Sequence, residues 1–354
     1  MSRTKILADG RAIAMGLDVD ASASVAVVLD VSSGELVYEG RVAHDELGWR
    51  CFLTRFPGCR IWSCYEAGGL GFHLCRMLRR LGVDGQVIAP SQVPKGATQK
   101  QMKTDRRDAL MLAQLYFHPP RSFVRIPTEQ EERDRQLLRT REQLVRDKTR
   151  TMNRIKSFMA FHRLPWPTGK TAWSQANRQL LRGLPLPDPA LRVSLDVLLN
   201  ELEFLKDQIR TLDQQIVAVS QSDRYHDRCA RLRQLSGVGL LCAMAFLTEV
   251  FRPEEFETAE ALAAHIGFTP CQWSSAQRRH LGHITHWGSP LLRRLLIEAA
   301  WSWVRRDTQA AACFHKISAG KRPKTAIVGM ARRLAIVLWA MTTREQDYAY
   351  RWAA

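Results

Sequence analysis

The sequence predicts a mixed α/β domain followed by a largely helical remainder. Three observations predict it. Short β-branched strands alternate with turn residues over roughly the first ninety positions. Two long stretches further on carry apolar residues at helical spacing. Between the two regimes lies KTDRRDA at 103–109, which sets two carboxylates three residues apart at the start of a helical pattern.

Taken in order, residues 12–20 (AIAMGLDVD) read as an apolar strand ending in acid. Residues 24–30 (SVAVVLD) and 35–42 (ELVYEGRV) read as the next two strands, with Ser32-Ser33-Gly34 as the turn between them. A helix is expected at 44–56. A short buried strand follows at 60–66 (RIWSCYE), again ending in acid. Gly68-Gly69 opens a helix to about residue 81, and 86–90 (QVIAP) is a fifth strand. Three hairpin strands followed by alternating helix and strand describe an RNase H-like sheet. Asp18 and Glu66 end the first and fourth strands, and Asp20 competes with Asp18 from two residues away.

Asp105 and Asp108 share a helix face, with Lys103, Arg106 and Arg107 around them. Carboxylates in a basic setting suit Mg²⁺ beside a phosphate, since a hard cation takes oxygen ligands and keeps open positions. The same acids would also simply favour a helix N-terminus through its dipole.

Asp18, Glu66 and the KTDRRDA pair resemble the DEDD signature of the RuvC-like domain in a class of bacterial insertion-sequence transposases. That class is related to Piv-type DNA invertases and described as bridge-RNA-guided recombinases. The resemblance implies that Asp18, Glu66, Asp105 and Asp108 are catalytic Mg²⁺ ligands, and it favours Asp18 over Asp20.

Composition agrees with a polyanionic partner. Lys plus Arg number 52 against 35 Asp plus Glu, a net charge of +17 over 354 residues. Arg outnumbers Lys, which suits bidentate phosphate contacts. No apolar run is read as approaching the roughly 18 residues of a spanning helix, and no signal-peptide pattern opens the chain. The eight cysteines lack CxxC pairing and read as reduced core residues of a cytosolic protein; the resemblance implies a bacterial cytoplasmic, nucleoid-associated one.

From 128 an acidic start (TEQEE) opens a long basic helix to about 162. Leu138, Val145, Met152 and Met159 recur at seven residues. Arg139, Arg146, Arg150 and Arg154 are candidate nucleic-acid contacts, against the plainer reading of a solvated charged face. Residues 164–189 are a Pro- and Gly-rich connector with a short helix near 173–181. Gly169-Lys170-Thr171 lacks the upstream glycine of a P-loop. Leu195, Leu198, Leu202, Leu205, Ile209, Leu212, Ile216 and Val219 form a heptad seam. It could pair with the first helix or with another subunit.

Leu235-Ser236-Gly237-Val238-Gly239 resembles a helix-hairpin-helix turn, or is an ordinary packed one. Residues 267–290 (GFTPCQWSSAQRRHLGHITHWGSP) and the helix after them resemble the C-terminal domain of the same transposases. That resemblance makes Ser275 the nucleophile. Ala276 stands where glycine is common in the family and His286 where lysine is. Arg278 and Arg279 would stabilise the phosphate, and a zinc reading of His280, His283 and His286 is disfavoured by the β-like Ile284-Thr285. Lys321, Arg322 and Lys324 form a basic turn before a final helix at 325–341.

The expected architecture is therefore α/β plus α in three parts. Residues 1–126 form a RuvC-like domain, 127–225 a helical coiled-coil and linker region, and 226–354 a mainly helical serine-bearing domain. The expected activity is strand cleavage and rejoining through a phosphoserine, with carboxylates and serine meeting over one phosphate. The resemblance implies donor and target DNA, a noncoding guide RNA, and a dimer or tetramer as the working unit; no membrane partner is expected. A metal-only junction nuclease and a non-catalytic nucleic-acid-binding regulator are the alternatives.

Overall fold

The computed structural model describes residues 10–93, 104–120, 122–166, 173–275, 278–320 and 322–348. Lys103, the 169–171 tripeptide, Ala276 and Lys321 lie outside them. The chain divides into two compact units, Met1–Thr128 and Glu129–Ala354.

The first unit is built on a five-stranded sheet. Its strands are β1 (Ala12–Val19), β2 (Ala23–Asp30), β3 (Leu36–Ala43), β4 (Arg60–Glu66) and β5 (Asp84–Ile88), in the order β3-β2-β1-β4-β5. The first three are antiparallel, whereas β1, β4 and β5 run parallel. Short turns allow the antiparallel pairs. The parallel ones need crossovers, supplied by α1 (Glu46–Leu53) and α2 (His73–Arg80). The sheet and its helices are those of an RNase H-like domain.

Side chains alternate across a strand, and β1 uses both faces. Ile13, Met15 and Leu17 join Trp49, Phe52, Leu74 and Leu78 of α1 and α2 in one core. Gly16 lies on the opposite face, under α3 (Asp105–Gln114). A Cβ at Gly16 would overlap the Ala109 carbonyl oxygen and the Ala113 nitrogen, so only glycine lets the helix backbone lie directly on the strand.

The second unit pairs α4 (Glu129–Phe161) with α6 (Pro189–Ser220), with α5 (Gln175–Gly183) against their far end. Contacts between the long helices keep a nearly constant sum of residue numbers, as an antiparallel pair requires. Leu138 clusters with Ile216, Arg141 pairs with Asp213, and Arg154 with Glu201. The buried side of α6 is Leu195, Leu199, Leu202, Leu205, Ile209 and Ile216. Leu198, Leu212 and Val219 of the expected seam are only half-buried.

The remaining elements are α7 (His226–Arg233), α8 (Leu240–Val250), α9 (Ala259–Ile266), a hairpin of β6 (Pro270–Ser275) and β7 (Arg278–Ile284), α10 (Pro290–Arg306), α11 (Thr308–Ser318) and α12 (Pro323–Thr343). Leu138 and Ile216 share one core with Phe246, Leu296, Trp303 and Leu334. Residues on both sides of position 225 thus belong to a single hydrophobic cluster.

The expectation that no apolar segment reaches membrane-spanning length needs correction. Among the described residues, α12 is long and apolar enough. Ala326, Ile327, Met330, Ala331, Leu334 and Leu338 are buried, and burial within this unit accounts for the apolar composition.

Candidate active site

Packing sets the direction in which α3 crosses the sheet. Just beyond its C-terminal end, Tyr116 stacks edge-on against Trp62 near the start of β4, with ring centroids 5.5 Å apart. One turn earlier, Ala109 and Ala113 cover Gly16, which pairs in register with Cys64 further along β4. The helix therefore runs against β1 and β4, and its N-terminus lies toward their C-terminal ends.

Strand alternation puts Asp18 on the Gly16 face of β1 and Glu66 on the Cys64 face of β4, the side that α3 covers. Asp108 continues the helical stripe of Leu112 and Leu115, which packs with Cys64 and Ile88. All four acids thus belong to one face and one end of the sheet. Asp18 and Asp108 are half-buried, whereas Glu66 and Asp105 are exposed. Among the described residues, no three His, Cys, Asp or Glu side chains gather closely enough to hold one ion as they stand. The donor set itself is all carboxylate, which suits a hard divalent cation.

The surroundings account for the neighbouring charges. Thr104 caps α3, its hydroxyl accepting from the Arg107 backbone N–H at 3.4 Å. Arg106 reaches sideways to Glu39 on β3 at 2.8 Å. Asp20 lies beyond the end of β1 and accepts the Ala21 backbone N–H at 2.7 Å. It is a turn residue in this arrangement.

In the second unit Ser275 is the last residue of β6 and faces Arg278 in the strand register, while Ser274 faces Arg279. The Ser275–Arg278 pair is the last in this register before positions 276 and 277, which lie outside the described residues. At the other end of the hairpin, the Thr285 N–H donates to the Thr269 carbonyl at 2.9 Å.

The helical arginines have internal partners. Arg139 donates to both carboxylate oxygens of Glu249 at 2.9 and 2.8 Å, and Glu249 is buried within α8. The pairing pushes the Arg139 pKa further up. Arg146 donates to Glu142 at 3.0 Å, Arg150 to Asp147 at 2.8 Å and Arg154 to Glu201 at 3.2 Å. Glu142 is buried and also takes Arg294 of α10 at 2.5 Å. Asp134 accepts from Gln130, Arg224 and Tyr225. These buried acids were not read from the sequence. The signal available for one of them was a lone Glu in the apolar run LLCAMAFLTEV.

Arg322 and Lys324 are exposed at the N-terminus of α12. A helix dipole disfavours cations there, and dipole and cations together attract an anion. The Gly237 turn between α7 and α8 is tightly packed. Its φ is +96°, and a Cβ would overlap the Ala299 carbonyl oxygen of α10.

The five-stranded sheet and its helices are consistent with an RNase H-like DEDD domain, and comparison with known proteins identifies the class as a transposase, a DNA-cleaving and rejoining enzyme. A DEDD transposase model matches residues 15–163, and a model described as the transposase IS116/IS110/IS902 family matches residues 229–316. The chain is 30% identical over 290 residues to the candidate transposase y4pF/y4sB of Sinorhizobium fredii, covering 80% of this chain and 73% of that one. It is 29% identical over 304 residues to the transposase for insertion sequence element IS1533 of Leptospira borgpetersenii, covering 82% and 85%. The chain belongs to the IS110/IS116/IS902 family of transposases.

Proposed function

We propose that this transposase cuts and rejoins DNA through a covalent phosphoserine at Ser275. The observation that supports this most directly is the strand register, in which Ser275 at the end of β6 pairs with Arg278 at the start of β7. In the first step the Ser275 hydroxyl oxygen bonds to phosphorus as the scissile P–O bond breaks. The hydroxyl proton passes to a base and the departing sugar oxygen takes one up. A sugar hydroxyl of the strand to be joined then attacks the phosphoserine, and the serine oxygen leaves. Bond count and charge are conserved, so no external energy source is needed. Arg278 and Arg279 offer positive charge to the phosphorane-like transition state.

Asp18, Glu66, Asp105 and Asp108 are the residues that would hold Mg²⁺. When bound, the ion would polarise the phosphate and stabilise the leaving oxygen. Asp18 and Glu66 lie at the C-terminal ends of the adjacent strands β1 and β4, and Asp105 and Asp108 start a helix that also carries Arg106 and Arg107. Donor and target DNA are the substrates on this reading. An element-encoded noncoding RNA would choose them by base pairing, with the protein reading backbone and shape; that part rests on the family resemblance stated above. A dimer or tetramer would hold the several DNA ends together.

The test is a search for detergent-resistant protein–DNA adduct. Purified protein, RNA transcribed from the element's noncoding ends, and end-labelled DNA spanning an element end are incubated with Mg²⁺ and run on a denaturing gel. Wild type gives a slow-migrating adduct. Ser275→Ala and Asp105→Ala abolish it, while Ser274→Ala keeps it. Cleaved DNA without adduct, unchanged by Ser275→Ala, would refute the serine mechanism and leave a metal-only nuclease.

A further inference from the structure

We infer that Arg293 is a positioning residue for the Ser275 hairpin, acting as a clamp at its base. This rests on the reading of Ser275 given above. Arg293 lies in the first turns of α10 and is only 7% exposed. Its guanidinium donates to the Ile266 carbonyl at 2.9 Å and to the Trp287 carbonyl. Ile266 ends α9 just before the chain enters β6, and Trp287 follows the exit from β7. One planar cation thus ties the incoming and outgoing arms of the hairpin to a third element.

The backbone at this crossing is built for close approach. Gly267 caps α9 at φ +84°, and a Cβ there would overlap the Trp287 backbone and meet the Arg293 guanidinium. Gly288 has φ +69°, and a Cβ there would overlap the His265 carbonyl. His286, between β7 and this crossing, also holds a left-handed φ of +58°. Glycine adopts such angles without cost, whereas His286 holds its left-handed conformation only where surrounding contacts fix it.

Arg293 is unlike Arg139, Arg146, Arg150 and Arg154, which pair with carboxylates, because its partners are carbonyls. Among the described residues no carboxylate is its partner, and burial pushes its pKa down. A buried cation without a counter-ion is costly. An arginine used only for stability would be better served by an acid, such as the Glu142 that its neighbour Arg294 takes. Both bonds run from one guanidinium nitrogen, Nη1, which the rigid plane of the group holds between the two carbonyls, whereas a lysine ammonium on its flexible stem is not fixed there. The two strands would thereby be held at a fixed angle to α10, and with them the serine at the end of β6.

The experiment compares wild type, Arg293→Lys, Arg293→Met and Ser275→Ala as full chains in four measurements. These are the unfolding midpoint, DNA binding, adduct formation at saturating DNA, and the rate of trypsin cleavage after Arg278 and Arg279 relative to other sites. Displacing a reacting group by about an ångström costs on the order of 100-fold in rate. Arg293→Met should therefore slow adduct formation by roughly that factor while DNA affinity and the unfolding midpoint stay close to wild type. Trypsin should nick the hairpin faster. Arg293→Lys should fall between wild type and Met in both rate and nicking, and it decides the matter alone if the Met variant does not fold. Unchanged nicking and adduct rate in the Lys variant would overturn the clamp. So would a loss of binding and stability as large as the loss of rate, which marks a general structural role. If Ser275→Ala still forms adduct, the nucleophile assignment fails, yet the nicking measurement still reports on the clamp.

Discussion

Asp30 shows how much a single side chain does at the end of a strand. It is 2% exposed and accepts from the Ser32 hydroxyl at 2.5 Å, the Ser32 N–H at 2.7 Å and Arg11 at 2.8 Å. The Ser32 hydroxyl bond chiefly holds its pKa down at about 2, against burial, which raises it. A carboxyl depressed in the folded state contributes stability above its unfolded pKa and loses it as pH falls through the folded value. The shift corresponds to about 2 kcal/mol at neutral pH. Asp30→Asn should therefore be less stable than wild type by about that much at pH 7, and the gap should shrink between about pH 4 and pH 2. Urea unfolding of both proteins at pH 7 and pH 3 checks it; equal gaps at the two pH values would rule out the linkage. The sequence showed the Ser32-Ser33-Gly34 turn, but not that Asp30 organises it. Asp18 and Asp20 were both legible as acids at a strand end, and the bonds of Asp20 to Ala21 and Ala23 show that it belongs to the turn after β1.

At the scale of elements, the sheet was the most legible part, because side-chain alternation and turn residues lie next to each other in sequence. The strand order β3-β2-β1-β4-β5 follows from three hairpin strands and two crossovers. Short helices were harder. Those at His226–Arg233, Ala259–Ile266 and Thr308–Ser318 span only two or three turns, too few for periodicity to stand out. The second helix was expected from Gly68-Gly69 but begins at His73. Least legible was the seating of α3, which depends on Gly16 nearly a hundred residues away. Gly16→Ala should push α3 off β1 and cost about 3 kcal/mol, the upper end for an overpacked core, since both overlapping atoms are backbone and cannot swing aside. Gly69→Ala is the control, because nothing lies within 4 Å of a Cβ there. Chemical unfolding of the two variants side by side checks this. Equal stability would mean that the helix does not sit on Gly16. If the fold survives, Gly16→Ala should also weaken cleavage, because α3 carries Asp105 and Asp108.

For the whole molecule, the net charge of +17 overstates the cations available to nucleic acid. Among the arginines of α4 named as contacts from sequence, Arg139 is bound bidentately to buried Glu249, an acid 110 residues away. No local pattern could have shown that partner. Arg150 and Arg154 are held by Asp147 and Glu201 instead, and their side chains are 70% and 58% exposed. Pairs that open to solvent contribute little and exchange readily for another anion. A phosphate can therefore replace Asp147 or Glu201 far more easily than Glu249. Binding to DNA should weaken with salt, and each phosphate contact removed should flatten the slope of log affinity against log salt by about 0.9. Arg150→Ala and Arg154→Ala should each flatten it by about that amount and leave stability nearly unchanged. Arg139→Ala should leave the slope alone and cost on the order of 2 kcal/mol of stability, below the value for a fully buried pair because its side chain is 45% exposed. Titrating the four proteins against one duplex from 50 to 200 mM salt, the range over which such slopes are read, separates the two roles. A flatter slope for Arg139→Ala at unchanged stability would reverse the assignment and make Arg139 a phosphate contact that Glu249 merely holds in reserve.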